Sequence, residues 1–442
     1  MKYKKLPRIN NIPPHSIAES FIGLDKKYVS PSYTRSYPLV AGSAEGMWLK
    51  DVDGNEFLDF TAGIGVCSTG HCHPKVVAAI KRQAEKLIHM SGTDFYYGPQ
   101  IHLANKLAHL MPQHNDYKVY FGNSGAESVE AAFKLARWYT HKPINIAFTG
   151  AFHGRTMGAL SLTGRSYIQK EHYYPLVPQV FHVPYAYCYR CHYNLKYPEC
   201  NTACAKYIEE ELFNTIVPPS QVSAIFVEPI QGEGGYIVPP KEFMSVLYRT
   251  CKEYDILLVA DEVQAGMGRT GKMFAHEHFG ITPDIITLAK GIASGMPLGA
   301  VIAPAHIMKW QPGSHASKFG GNPISCEAAL ATIDLLERQL IHNAEIQGRR
   351  LMMGLRKLQE DFEFIGDVRG KGLMVGMEIV RDRETKEIWP RMRDKIIDSA
   401  FYMGLLLLGC GPSAVRFSPP LIVNSEEIDI CIEILNDIFK EL

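Results

Sequence analysis

The stretch DIITLAKGIASGMPLGA, residues 284–300, joins two unlike pieces around Lys290. Ile285, Ile286, Thr287 and Leu288 form a short apolar run that predicts a buried strand. Gly291, Gly295, Pro297 and Gly299 follow, and they suit neither helix nor strand. An unpaired ammonium is costly to bury, so a lysine here is either a surface residue or a nucleophile held in a pocket. The rest of the chain decides which. In a wound α/β sheet, ligands sit beyond the carboxyl ends of the strands, where Lys290 would stand.

With 442 residues the chain exceeds the usual size of one domain. Lys+Arg and Asp+Glu each number 46, and a net charge of zero argues against broad binding to nucleic acid or anionic membranes. No apolar run approaches the roughly 18 residues of a membrane span. The start, MKYKKLPRINN, has basic residues with no apolar core behind them, so no signal peptide is expected and the expected location is cytoplasmic.

Residues 1–45 read as irregular. GMWLKDVDGNEFLDF predicts a hairpin around Asp53 and Gly54. From about 75 to 310, helical patterns (VVAAIKRQAEKLIHM, ESVEAAFKLARWYT) alternate with short buried strands (KVYFG, INIAFTG, AIFVEP, LLVADEV, IITLA). That alternation is what a mainly parallel wound sheet requires. After about residue 325 come CEAALATIDLLERQL as a helix, GKGLMVGMEIV and AVRFSPPLIV as strands, and a closing helix. The expected division is an N-terminal segment 1–74 contributing to a small α+β domain, a large domain 75–325, and a C-terminal small domain 326–442. A cysteine-rich insertion, residues 185–205, interrupts the sheet. Its Cys188, Cys191, Cys200 and Cys204 have a spacing compatible with zinc, an iron–sulfur cluster, disulfides or incidental thiols.

Each predicted strand ends in a residue able to do chemistry. After KVYFG, Ser124 is a good helix N-cap, and the free N–H groups of Gly125 and Ala126 suit a single phosphate. After INIAFTG come Phe152, which can stack on a planar ring, His153, and Arg155, which can grip a carboxylate. Val259 and Ala260 lead straight into Asp261, a carboxylate drawn inward that needs a cationic partner such as a protonated heteroaromatic nitrogen. Glu228 and Glu233 in VEPIQGEGG read as a metal pair or as a movable gate beside cationic groups. A lysine nucleophile, a phosphate cradle, a stacking aromatic and an aspartate for a ring nitrogen together describe pyridoxal 5'-phosphate (PLP).

The motifs GNSGAESVEAAFKLAR, GAFHGRT, EPIQGEGG, VADEVQAGMGRTG, TLAKGIASGMPLGA and FGGNP occur in that order. Through them the chain resembles the class III PLP-dependent aminotransferases of fold type I over nearly its whole length. The resemblance implies a homodimer with active sites at the subunit interface and Lys290 as the Schiff-base lysine. It implies Ser124, Gly125 and Ala126 at the phosphate, and Phe152 on the ring with His153 beside it. Asp261 is then implied at the ring nitrogen, Val263 on the opposite face, Gln264 at the phenolic oxygen, and Glu228 behind. Where the family usually has a threonine before FGGNP, reaching the neighbouring subunit's phosphate, this chain has Lys318.

Within the family the chain is similar to enzymes that use ω-amino acids such as 4-aminobutyrate, with 2-oxoglutarate as acceptor. The resemblance implies Ile64 in the substrate pocket, Arg155 at the distal carboxylate, and Glu233 masking Arg416 until an α-carboxylate arrives. Ornithine and acetylornithine are alternative donors. A racemase or epimerase of the same family is the runner-up, but there the glutamate of QGEGG is an aspartate, and here it is Glu233.

Overall fold

A computed structural model describes residues 3–112 and 116–442. Fifteen strands are found among them. The first sheet contains β1 (Ala41–Glu45), β2 (Trp48–Asp51), β3 (Glu56–Asp59) and β13 (Leu405–Leu406). The second contains β4 (Tyr117–Gly122), β5 (Ile144–Phe148), β6 (Val180–Val183), β7 (Val222–Val227), β8 (Leu257–Asp261), β9 (Ile285–Leu288) and β10 (Gly299–Pro304). The third holds β11 (Ile365–Lys371), β12 (Met374–Ile379), β14 (Leu408–Cys410) and β15 (Ala414–Phe417).

The seven-stranded sheet has the order β4-β10-β9-β8-β7-β5-β6, and all but β10 run the same way. β5, β7, β8 and β9 are buried along their whole length, as strands covered on both faces must be. On one face, helix Gly125–Thr140 buries Val129, Phe133 and Leu135 in a cluster with Phe226, Val259, Ile285 and Val301. On the other, helix Lys241–Glu253 buries Phe243, Met244 and Leu247 with Phe148, Ile225 and Leu258. The fold is α/β, as expected.

Two strands of this sheet, β6 and β10, were not read from the sequence. GAVIAP begins on a glycine and ends on a proline, which disguised β10 as a continuation of the loop after Lys290. The expected hairpin is present: Leu49 pairs with Phe57 across the Asp53–Gly54 turn. Residues 1–45 are not irregular throughout. They contain helix Ser16–Tyr28 and β1. Only Ala18 of that helix is buried, so the apolar stripe that would announce it is missing. The helix expected across VVAAIKRQAEKLIHM ends at Ala84.

The two ends of the chain meet in the first sheet, where β13 pairs in parallel with β3, Leu405 opposite Leu58. Near residue 325 the composition shifts where helix Pro323–Leu335 begins, and this helix packs on helices Pro74–Ala84 and Gly98–Ala108. No helix among the described residues is long and apolar enough to cross a membrane.

Candidate active site

Five of the six like-oriented strands deliver a functional residue just past their carboxyl ends, and these residues line one cavity of about 390 Å³. β4 leads to Asn123 and Ser124, β5 to Phe152, His153 and Arg155, β7 to Glu228, β8 to Asp261, and β9 to Lys290. The reversed strand β10 starts at Gly299, against the carbonyl of Ser124: a Cβ there would lie 2.4 Å from that oxygen. Only glycine lets β10 close the sheet beside the cradle.

At the cradle, Ser124 Oγ accepts from the N–H of Glu127 at 3.2 Å, capping helix Gly125–Thr140. The N–H groups of Gly125 and Ala126 are left as the first turn's open donors, the arrangement that binds an anion. The Glu127 carboxylate, which would repel a phosphate, accepts instead from Asn123 N at 2.6 Å and Asn123 Nδ2 at 2.9 Å. A Cβ on Gly125 would meet Val263 Cγ1 at 2.8 Å, so the cradle and this valine leave no room for a side chain.

Asp261 is 4% exposed and fully engaged. Its Oδ1 accepts from Val263 N at 3.0 Å and Thr287 Oγ1 at 3.1 Å, and its Oδ2 lies 2.7 Å from His153 Nδ1. Burial opposes a charge on His153, but Asp261 and Glu228 outweigh it and raise the imidazole above its usual range. His153 Nε2 is buried without a partner among the described residues. Glu228 accepts from Phe152 N at 3.2 Å and Gly232 N at 3.0 Å. Burial above all pushes its carboxyl up to about 7, with Asp261 adding to the rise and His153 opposing it.

Lys290 adopts φ 44°, a left-handed conformation that is strained for a side-chain-bearing residue. Ser68 Oγ donates to the carbonyl of the next residue, Gly291, at 2.8 Å and contacts Ser294 Oγ at 3.0 Å, fixing the turn. Burial, the largest influence, pushes the Lys290 ammonium below its ordinary range. Glu233 and Asp261 pull against that, while Arg416 adds to it. A nucleophilic amine needs this direction of shift.

Glu233 forms an ion pair with Arg416 on β15, whose side chain is 7% exposed. Burial pushes the Glu233 carboxyl up, and Arg416 and Lys290 more than reverse it. Arg155 is exposed at the cavity mouth, with its guanidinium 5.7 Å from the Phe152 ring centroid. Gln264 and Val263 also line the cavity.

Four expected residues do not line it: Ile64, Lys318 and the paired Glu233 and Arg416. Ile64, at φ 67° and 42% exposed, does not line the cavity, whereas Val66 does. Lys318 is exposed in the loop after Ser317, whose Oγ meets Asn123 Nδ2 at 3.1 Å. Cys188, Cys191, Cys200 and Cys204, whose spacing left metal, disulfides and incidental thiols open, form no disulfide among the described residues. The four thiols share one small cavity and are free. Yet no three His, Cys, Asp or Glu side chains among the described residues form a group that could hold a metal ion. Tyr185, Tyr187, Tyr193 and Tyr197 line that cavity too. Residues that sequence reasoning missed are Ser68, Thr287 and Arg165. Thr287 had a signal, a lone hydroxyl inside an apolar strand, while Ser68 and Arg165 had none.

The residues fit PLP on structural grounds: open donors at a cradle too tight for a Cβ, a buried aspartate on the cavity wall, and a lysine whose charge is disfavoured. A family model described as "Aminotransferase class-III" matches residues 28–439. An alanine/serine racemase of Pyrococcus horikoshii is 40% identical, with 98% of this chain and 93% of that protein covered. An acetylornithine aminotransferase of Methanocaldococcus jannaschii is also 40% identical, with 96% and 99% covered. The solved PLP-bound amine transaminase from an uncultivated Pseudomonas species is similar at a TM-score of 0.87 and 30% identity, with 94% and 98% covered. The cavity at the strand ends and these likenesses over the whole chain lead to one conclusion: the chain belongs to the class III aminotransferases, PLP-dependent enzymes of fold type I.

Proposed function

We propose that the enzyme moves an amino group from an ω-amino acid of the 4-aminobutyrate type to 2-oxoglutarate, in two half-reactions at one site. The observation that carries this reading is the Glu233–Arg416 pair. Arg416 meets Glu233 through one terminal nitrogen, while its Nε is buried with no partner among the described residues. A guanidinium can take a carboxylate through two donors at once, so Arg416 has unused capacity for a substrate carboxylate. When the substrate presents only a chain end there, Glu233 keeps Arg416 neutralised. When an α-carboxylate arrives, Glu233 turns away.

PLP, when bound, supplies the carbonyl that takes the amino group and a ring that withdraws electrons. Lys290 anchors it, and the Lys290 amine moves the proton at the amino-bearing carbon of the substrate. Asp261 holds a proton at the ring nitrogen, and His153 and Thr287 keep its two oxygens in place. Arg155 binds the distal carboxylate at the mouth. A cytoplasmic homodimer, with Lys318 directed to the partner's phosphate, belongs to the same proposal.

Racemisation is the second reading, favoured by the 40% identity to the Pyrococcus horikoshii racemase. It requires a second proton carrier facing Lys290 across the substrate. A panel of amino donors, assayed with 2-oxoglutarate for glutamate and without it for loss of chirality, separates the two. Glutamate should form fastest from an ω-amino donor. Racemisation of an α-amino acid outpacing every transfer reaction would reverse the assignment.

A further inference from the structure

Glu233 can serve as a gate only if something decides how it moves, and its surroundings define that. Its carbonyl is gripped twice, by Arg165 Nε at 2.7 Å and Gly411 N at 2.8 Å, and Arg165 also donates to Gly411 O at 2.7 Å. On the other side, Arg369 Nε and a terminal nitrogen donate to Gly235 O at 3.0 and 2.6 Å. Gly232 N donates to Glu228 at 3.0 Å. Added Cβ atoms at Gly232, Gly234 and Gly235 would meet Gln264 at 2.3 Å, Gln231 at 2.1 Å and Arg369 at 3.1 Å. A loop of glycines that looks free to flex is packed on every side.

Arg369 is itself held from the cysteine-rich insertion. Glu378 on β12, fully buried, accepts from Arg369 at 2.8 Å, Tyr187 Oη at 2.7 Å and Arg190 Nε at 2.9 Å. The Arg369 guanidinium lies 5.0 Å from the Tyr187 ring centroid. Tyr187 and Arg190 flank Cys188, so the insertion reaches the gate through one buried carboxylate.

We propose that Arg165 and Arg369 are positioning residues that clamp the backbone on both sides of Glu233, so that its carboxylate engages and leaves Arg416 by side-chain rotation alone. The insertion sets the Arg369 side of the clamp through Tyr187, Arg190 and Glu378. This rests on the reading of Glu233 as a gate. A clamped backbone leaves Glu233 few rotamers, which makes pairing with Arg416 inexpensive in entropy. Loosening the clamp should therefore weaken the half-reaction that needs the pair.

The test uses the PLP-loaded full-length enzyme and measures each half-reaction by stopped flow for Arg369→Met, Arg165→Met, Tyr187→Phe and Glu233→Gln. Either arginine variant should lower kcat/KM with 4-aminobutyrate by about tenfold, mostly through KM, and change the glutamate half-reaction by less than about twofold. Tyr187→Phe, which removes one hydroxyl and keeps the ring, should lower the first half-reaction by about threefold. Adding Arg369→Met to Glu233→Gln should cost nothing further, because the clamp acts through Glu233. Equal losses in both half-reactions, or additive losses in the double variant, would overturn the clamp. If Arg369→Met fails to accumulate as folded protein, Tyr187→Phe decides alone: an unchanged first half-reaction overturns the proposal. Should Glu233→Gln itself impair both halves equally, the gate reading fails, which is a different result from a clamp that fails around a working gate.

Discussion

Residue by residue, the site is a set of charges, most of them buried where water screens them little. Lys290→Ala should remain folded and lose more than about 99% of transamination, since proton transfer by a positioned group is worth about 100-fold or more; steady-state glutamate formation measures it. Asp261→Asn should still bind PLP yet lose most activity, because an amide cannot hold the ring proton. Its partner shell would change as well, since His153 Nδ1 now faces the Asp261 carboxylate at 2.7 Å. Glu228 gives a pH prediction. Its carboxyl ordinarily titrates at 4.5 and is pushed up to about 7 by burial and Asp261, with His153 opposing. Between these values the folded form binds more protons than the unfolded one, so this group's contribution to stability falls as pH rises from 4.5 to about 7 and then levels. In the PLP-free enzyme, Glu228→Gln should remove that downward slope from the melting temperature measured across this range. Lys290 and Asp261 were legible because each stands at the end of an apolar run, where a charge needs a reason. The partners that tune them were less so: His153 sits 108 residues from Asp261, and only the sheet brings them together.

Elements were legible in proportion to their patterning. β5, β7, β8 and β9 are mainly apolar runs with one polar residue each, and each is legible in the sequence. Helix Ser16–Tyr28 hides because it buries only Ala18, and β10 hides between a glycine and a proline. β10 also shows why its glycine is needed. Gly299→Ala would put a Cβ 2.4 Å from both the Ser124 carbonyl and Ser128 Oγ. Neither can retreat cheaply, because Ser128 Oγ also donates to Leu288 O at 2.9 Å. The variant should lose about 1–3 kcal/mol of stability by denaturant unfolding, a typical cost of overpacking. Its PLP affinity should fall too if the Ser124 turn is the proposed phosphate cradle. The cysteine spacing is the opposite case, a pattern more suggestive than its structure. Spacing says how far apart thiols lie along the chain, not how they are oriented in the fold.

At the scale of the whole molecule, no single stretch could reveal that the first sheet is shared by both ends of the chain, since β3 and β13 have neither turn nor periodicity in common. Leu58 and Leu405, paired across that junction, are both fully buried. Leu405→Ala should cost about 2–5 kcal/mol, as deletions of buried leucine side chains do, and chemical denaturation would show it. The same junction also bears on synthesis. Ribosomes add about 5–20 residues per second, so Leu405 emerges roughly 350 residues and tens of seconds after Leu58. All seven strands of the central sheet have been made by Pro304, while the sheet begun by β1, β2 and β3 still lacks its last member. The earliest-begun sheet is thus completed only after the central one, about 100 residues later, and a nascent chain must carry its β3 edge without β13 for most of its time on the ribosome.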